Sequence, residues 1–250
     1  YVGTQGGGMD QSVCLLAREG CALKIDFFPL VAAPVPLPEG WVVLAAHSTV
    51  QSEKAGACRL AYNRRVLECN IGRELLAERL GFEGAQRLAD LCRSREPAET
   101  RRLLAELERC VSARESLASE QAAALLDLSV AEFRKRFLRM KDGSPLPEPE
   151  DGLRVLPRCR HVLSEAARVE EAARRLAEGD VAAFGELMDR SHRSCADDYE
   201  ISVPQLDELA QLLREAGFPD GFTTTLKLPP PSYARRGGEI IAAQLRAVGI

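Results

Sequence analysis

The residues best suited to chemistry stand at the start of the chain. Gly3-Thr4-Gln5-Gly6-Gly7-Gly8-Met9-Asp10 sets three consecutive glycines directly before an acidic side chain, and Gln11-Ser12 follow. A glycine run lets the backbone approach a ligand closely, since no Cβ intervenes. Asp10 then falls in the first turn of the helix that follows, where the macrodipole favours a carboxylate. So placed, beside bare backbone, it can accept a proton from a bound hydroxyl. Pattern alone favours a plainer reading, a flexible glycine loop with Asp10 as an ordinary N-cap, because short glycine runs are weak motifs.

The elements that must position this loop are legible from periodicity. Val13, Leu16 and Ala17 share one helical face, and Gly20 is placed to stop the helix. Residues 22–30 read as a strand, from the alternation of Leu23, Ile25 and Phe27. Pro29 through Pro38 read as a proline-rich connection, and Trp41-Val42-Val43-Leu44-Ala45-Ala46 as a short buried strand, with a soft boundary near residue 38. Helices are expected over 59–79, 84–93, 98–110, 119–126 and 129–140, with Ser129 as an N-cap, then a proline-rich loop over 142–151. Further helices are expected over 158–178, with Val162, Leu163, Ala166, Val169 and Leu176 on one stripe and Gly179 at the end, and over 181–191. Pro204 at the first position and Gly217 beyond the end bracket the last, through Glu215.

A length of 250 residues with 46% hydrophobic content suffices for one large domain or two modest ones. The net charge of −4 gives no general attraction to nucleic acid or anionic membranes. No apolar run approaches the length of a membrane span. The eight cysteines are scattered singly with no Cys-x-x-Cys pair, which argues for free thiols in a reducing compartment rather than a zinc site or a disulfide framework.

Four separated segments resemble, in order, those of the galactokinases, members of the GHMP family of small-molecule kinases. The first is Gly6-Gly7-Gly8-Met9-Asp10-Gln11-Ser12 with Ala22 through Leu30; the second is Ala61-Tyr62-Asn63-Arg64-Arg65-Val66-Leu67-Glu68-Cys69. The third is Arg160-His161-Val162-Leu163-Ser164-Glu165. The fourth is Gly185-Glu186-Leu187-Met188-Asp189-Arg190-Ser191-His192, with Ser194-Cys195 and Asp198-Tyr199-Glu200 after it. The set looks closest to the N-acetylgalactosamine kinase branch and covers most of residues 1 to 216.

The resemblance implies an ATP-dependent kinase that phosphorylates the anomeric hydroxyl of galactose or N-acetylgalactosamine, with magnesium. It makes Asp10 the base, sets the Gly7 backbone against the sugar and gives the Tyr62 hydroxyl a sugar contact, although Tyr62 is equally well read as an interfacial helix tyrosine. Glu53 and Lys54 fall where an Asn-Lys pair approaches the nucleotide, Glu53 departing from the pattern by its charge. The family's phosphate-cradling Ser-rich loop and its Gly-Glu-His-x-Asp segment lie upstream of the base, and nothing after Gly217 matches its third glycine-rich signature. The expectation is an incomplete form with little activity whose magnesium ligands lie on an upstream segment, leaving an open sheet edge and an uncovered apolar face.

Among the remaining polar residues, His47, His161 and His192 lie far apart and are read as structural. Asp197, Asp198 and Glu200 form a helix–loop junction rather than a metal site, and Arg134-Lys135-Arg136 a solvated face. No metal ligand is assigned. The fold expected is α+β and GHMP-kinase-like: an incomplete N-terminal domain over 1–38, then a helix-rich C-terminal domain over 39–250 with a small antiparallel sheet and an atypical tail after 217. The protein is expected to be a cytoplasmic monomer whose partners are a sugar and ATP, not nucleic acid or membrane. The alternative is a non-catalytic sugar-sensing or regulatory protein built on the same fold, or a helical interaction module over 56–216.

Overall fold

In the computed structural model the residues described are 8–27, 29–41, 50, 57–82, 84–92, 96–140 and 143–216. The chain divides into two compact units, one made of Tyr1–Pro36 and Gln51–Ser202, the other of Leu37–Val50 and Val203–Ile250. The expected strand over 41–46 lies outside the described residues except for Trp41, as does the tail beyond 216.

The first unit opens with α1 (Met9–Leu16), followed by an antiparallel hairpin of β1 (Cys21–Asp26) and β2 (Val31–Pro36), paired from Cys21↔Pro36 to Asp26↔Val31. The second strand corrects the reading of Pro29–Pro38 as a mere connection. Proline cannot donate to a ladder but is tolerated on an edge strand, and Pro34 and Pro36 sit on one here. The first strand stops at Asp26, short of the expected residue 30. The hairpin packs on α6 (Val155–Glu178), where Lys24 Nζ meets Glu170 Oε2 at 2.9 Å.

The remaining helices of this unit are α2 (Ala57–Leu80), α3 (Pro97–Cys110), α4 (Ser119–Leu125), α5 (Val130–Arg136) and α7 (Val181–Asp197). Around α2, α3 and α6 lies one core in which Ile71, Leu76, Leu107, Phe133, Leu156 and Leu163 are almost fully buried. Apolar burial of this kind is the main favourable term in folding. Val169 departs from the expected α6 stripe, being exposed.

Local chemistry explains where elements start and stop. Ser129 caps α5, with Glu132 N donating to Ser129 Oγ at 3.2 Å and Ser129 N to Glu132 Oε2 at 3.0 Å, a capping box. That helix ends at Arg136, earlier than the expected Met140, because the chain turns back: Leu146 N donates to Leu138 O at 3.0 Å and Met140 N to Ser144 O at 2.9 Å. The helix expected over 84–93 is reduced to a 3-10 turn at Leu88–Leu91. There the Asp90 carboxylate accepts from the backbone N–H groups of Gln86 and Arg87, at 3.1 and 2.9 Å, in competition with a helical ladder.

The longest helices meet across a two-residue link. Gly179 ends α6 in a left-handed conformation, φ 74°, which only glycine adopts without strain. Asp180 then caps α7, accepting from Ala183 N at 3.2 Å. So short a link makes α6 and α7 antiparallel neighbours, and α7 continues past the expected Ser191 to Asp197. Among the described residues after 38, strand-like pairing is confined to two isolated bridges, Leu117↔Leu153 and Arg139↔Pro145. Among the described residues the antiparallel sheet is the hairpin at 21–36, and the strand expected at 41–46 lies outside them except for Trp41.

In the second unit α8 (Pro204–Ala216) is opened by Pro204, whose missing N–H costs nothing in a first turn.

Candidate active site

Gly8, not Asp10, is the N-cap of α1, at φ 82° and ψ 13°. Its carbonyl accepts both Ser12 N at 3.0 Å and Ser12 Oγ at 2.9 Å, which tightens the first turn. Asp10 sits in that turn, exposed, and bonds to no described side chain. Its carboxylate lies at the positive end of the helix. The apolar side chains beside it are uncovered too, Leu15 being 82% exposed.

Tyr62 lies near the start of α2 and is 37% exposed. Its neighbour Tyr199 is half-buried, and burial, together with the nearby Cys69 and Tyr62, pushes the Tyr199 hydroxyl well above its ordinary range. The Tyr199 ring stacks on His161 with centroids 4.5 Å apart. Its backbone is held by Arg65, whose Nε donates to Tyr199 O at 2.7 Å and whose Nη2 donates to Glu200 O.

Beneath these residues runs a buried ionic network. Glu68 is 0% exposed and Arg158 3%, and Arg158 Nε meets Glu68 Oε2 at 2.9 Å. Glu68 Oε1 accepts from Arg154 N at 2.9 Å and from Arg64 Nε at 3.1 Å, so both carboxylate oxygens are satisfied. Arg158 also donates to Asp198 O and pairs with Glu200, which fastens the turn after α7 to the start of α6.

Asp198, Ser194 and His161 form a chain that resembles a nucleophilic triad only in composition. Ser194 Oγ donates to Asp198 Oδ2 at 2.9 Å, and His161 Nδ1 lies 3.1 Å from the same Oγ. The serine proton is committed to the carboxylate, so the histidine must donate its Nδ1–H to the oxygen and cannot act as its base. Arg160 Nη1 completes the site on Asp198 Oδ1 at 2.9 Å. The structural readings of His161 and of the 197–200 junction agree with this geometry. His47 lies outside the described residues.

Burial pulls the His161 pKa below its ordinary 6.5, with Arg168 and Arg158 acting the same way and Glu165 and Asp198 opposing. The folded chain therefore binds this proton less readily than the unfolded chain. His161 contributes stability above pH 6.5 that is lost as pH falls through the folded value. In His161→Gln the acid-side loss of stability between about pH 7 and pH 5 should become shallower, whatever the overall cost of losing the ring. Urea melts across that range check it; an unchanged slope would assign the loss to other groups.

Of the residues singled out from sequence, Gly7, Glu53 and Lys54 lie outside the described residues. Asp10 and Tyr62 are not joined by a hydrogen bond: α1 packs on β1, whereas α2 packs on α3 and α6. Among the described residues no group of three His, Cys, Asp or Glu could hold a metal ion, so no magnesium ligand is assigned. No helix among them is long and apolar enough to cross a membrane. Sequence reasoning missed the Glu68–Arg158 pair, although a signal existed. Glu68 shares a helical face with Ile71 and Leu75, so its charge stood on a core stripe and required a partner.

An exposed carboxylate at the head of a helix, ahead of a hairpin and a helical body, is the arrangement in which the resemblance to small-molecule kinases can be tested. No protein-family model matches the chain. Galactokinase of Dictyostelium discoideum is 30% identical to it over 239 residues, covering 87% of this chain and 47% of that protein. Galactokinase of Pasteurella multocida (strain Pm70) is 29% identical over 216 residues, 86% of this chain and 42% of the relative. Galactokinase of Roseiflexus sp. (strain RS-1) is 31% identical over 209 residues, 84% and 40%. The chain is related to the galactokinases, and it spans less than half the length of these curated relatives.

Proposed function

We propose that these 250 residues form the base-bearing segment and the helix-rich domain of an ATP-dependent sugar kinase of the galactokinase kind. In this reading residues 1–38 belong to the N-terminal domain and 39–250 to the C-terminal domain. The observation that carries it is Asp10. It stands in the segment that resembles the family's base, exposed in the first turn of α1 and without a side-chain partner among the described residues. A carboxylate kept for capping or an ion pair would be engaged, and among the described residues this one is not.

Asp10 takes the proton from the anomeric hydroxyl as that oxygen bonds to the phosphoryl group transferred from ATP. The Gly7 backbone and the Tyr62 hydroxyl contact the sugar, while Glu53 and Lys54 approach the nucleotide. Magnesium bound with the ATP would offset charge on the phosphates, and no group among the described residues could hold it by three His, Cys, Asp or Glu. The sugar is galactose or N-acetylgalactosamine; the Gly6–Met9 run and the segment from His192 to Glu200 favour the second, and Tyr62 the first. The site of action is the cytoplasm.

A coupled ADP-release assay with ATP, magnesium and each sugar tests the reading. The 250-residue chain alone should turn over far below the roughly 1–1000 per second of ordinary enzymes. A chain of galactokinase length containing these residues should turn over within that range. Rates for the 250-residue chain within it would refute its incompleteness; an inert longer chain would refute the kinase assignment.

A further inference from the structure

All eight cysteines are free thiols, and two of them lie on the two central helices where these pack together. Cys69 lies on α2 and Cys159 on α6, each immediately after a member of the buried ion pair, Glu68 and Arg158. The 2.9 Å contact between Arg158 Nε and Glu68 Oε2 therefore fixes the register of the two helices at these positions.

Gly72, one turn beyond Cys69 on the same face of α2, allows the close approach. A Cβ built there would fall 2.2 Å from Cys159 Sγ and 3.3 Å from Val155 Cγ1, so the Cys159 sulfur occupies the space of the missing side chain. The Cys159 sulfur thus lies against α2, one turn from Cys69, and a disulfide needs the two Cα atoms within about 7 Å. The Cys69 and Cys159 thiols interact with each other, and this contact, followed by burial, raises the Cys159 pKa well above the ordinary thiol value. Cys159 is 0% exposed, whereas Cys69 is half-buried and so the more exposed of the two.

We propose that Cys69 and Cys159 form an oxidisable pair, which a small-molecule disulfide such as glutathione disulfide converts into a covalent bond joining α2 to α6. The Cys69 thiolate attacks one sulfur of glutathione disulfide, forming a mixed disulfide and expelling one glutathione thiolate. Cys159 gives up its proton and attacks the Cys69 sulfur; the Cys69–Cys159 bond forms and the second glutathione thiolate leaves. The two protein protons end on the two glutathione thiols, so two protein thiols are oxidised and one disulfide is reduced. The more exposed thiol starts the reaction and the buried one resolves it.

The test is peptide mapping by mass spectrometry of the 250-residue chain, incubated with glutathione disulfide, alkylated and digested without reduction. The expected product links the Cys69 and Cys159 peptides and is reversed by dithiothreitol. It should form in buffer and be strongly disfavoured in concentrated guanidinium chloride. Cys159→Ala should leave glutathione on Cys69, and the oxidised wild-type chain should melt about 5–10 °C above the reduced one. The wild-type map alone decides. Glutathione retained on Cys69 beside a free Cys159 would overturn the proposal. So would Cys69 joined to any other cysteine, or a link that forms equally well in denaturant.

Discussion

Arg158→Ala is expected to destabilise the helical unit by about 3–5 kcal/mol, the largest stability effect of any single replacement considered for this chain. The reason is the residue left behind. Glu68 is fully buried, and of its three partners Arg158 supplies the charge that is itself buried; Arg154 contributes a backbone N–H and Arg64 reaches in from a more exposed position. Without Arg158 a carboxylate would face the low-dielectric core with its charge largely uncompensated. The same deletion removes the Arg158 bonds to the Asp198 carbonyl and Glu200, so the turn carrying Tyr199 loses part of its clamp to α6 and keeps Arg160 on Asp198. Total stability for a domain of this size is about 5–15 kcal/mol, so the variant should populate unfolded chain at modest denaturant. Replacing both partners together, as Glu68→Leu with Arg158→Leu, should cost less than Arg158→Ala, because no charge is left buried alone. Guanidinium melts of the wild type and both variants read the difference. A loss below about 1 kcal/mol for Arg158→Ala would mean that the pair is solvated in solution and behaves like a surface bridge.

That network shows where the sequence was and was not legible. Helix interiors followed from apolar spacing, and caps with a local mechanism, such as Ser129 with Glu132 and Gly179 with Asp180, were recognisable at their positions. Elements decided by contacts elsewhere were not. The second strand was hidden by Pro34 and Pro36, since edge position is a property of the sheet and not of the strand itself. The 84–93 segment has helical composition, but the Asp90 carboxylate takes the backbone donors a helix would have used. At the candidate site the sequence offered Asp10 through its glycine run, a local signal. Two of the three partners of Glu68 sit 86 and 90 positions away, at Arg154 and Arg158, and periodicity within one helix cannot reveal them. Histidine and serine at 161 and 194 could be read from sequence as residues, but the direction of the proton between them required Asp198 to be placed.

Asp10→Asn, made in a kinase-length chain containing these residues, is expected to lower turnover about 100- to 10 000-fold, the range that general-base removal produces. Asparagine has nearly the same shape and keeps an oxygen that accepts hydrogen bonds, so the first turn of α1 should form as before. Its cap depends on Gly8 and Ser12 rather than on Asp10, which supports this expectation. What the variant lacks is a group that can take the hydroxyl proton at neutral pH. Sugar affinity should therefore change little while kcat falls, and the two can be separated by calorimetric titration of the sugar alongside the ADP-release assay. A loss confined to KM would make Asp10 a binding residue whose charge orients the sugar without accepting its proton. Full activity in the variant would leave the exposed carboxylate with no chemical role and return the glycine run to its plainer reading, a flexible loop ahead of a helix. A large fall in kcat with intact sugar binding would instead account for a carboxylate held exposed at a helix start with no side-chain partner among the described residues.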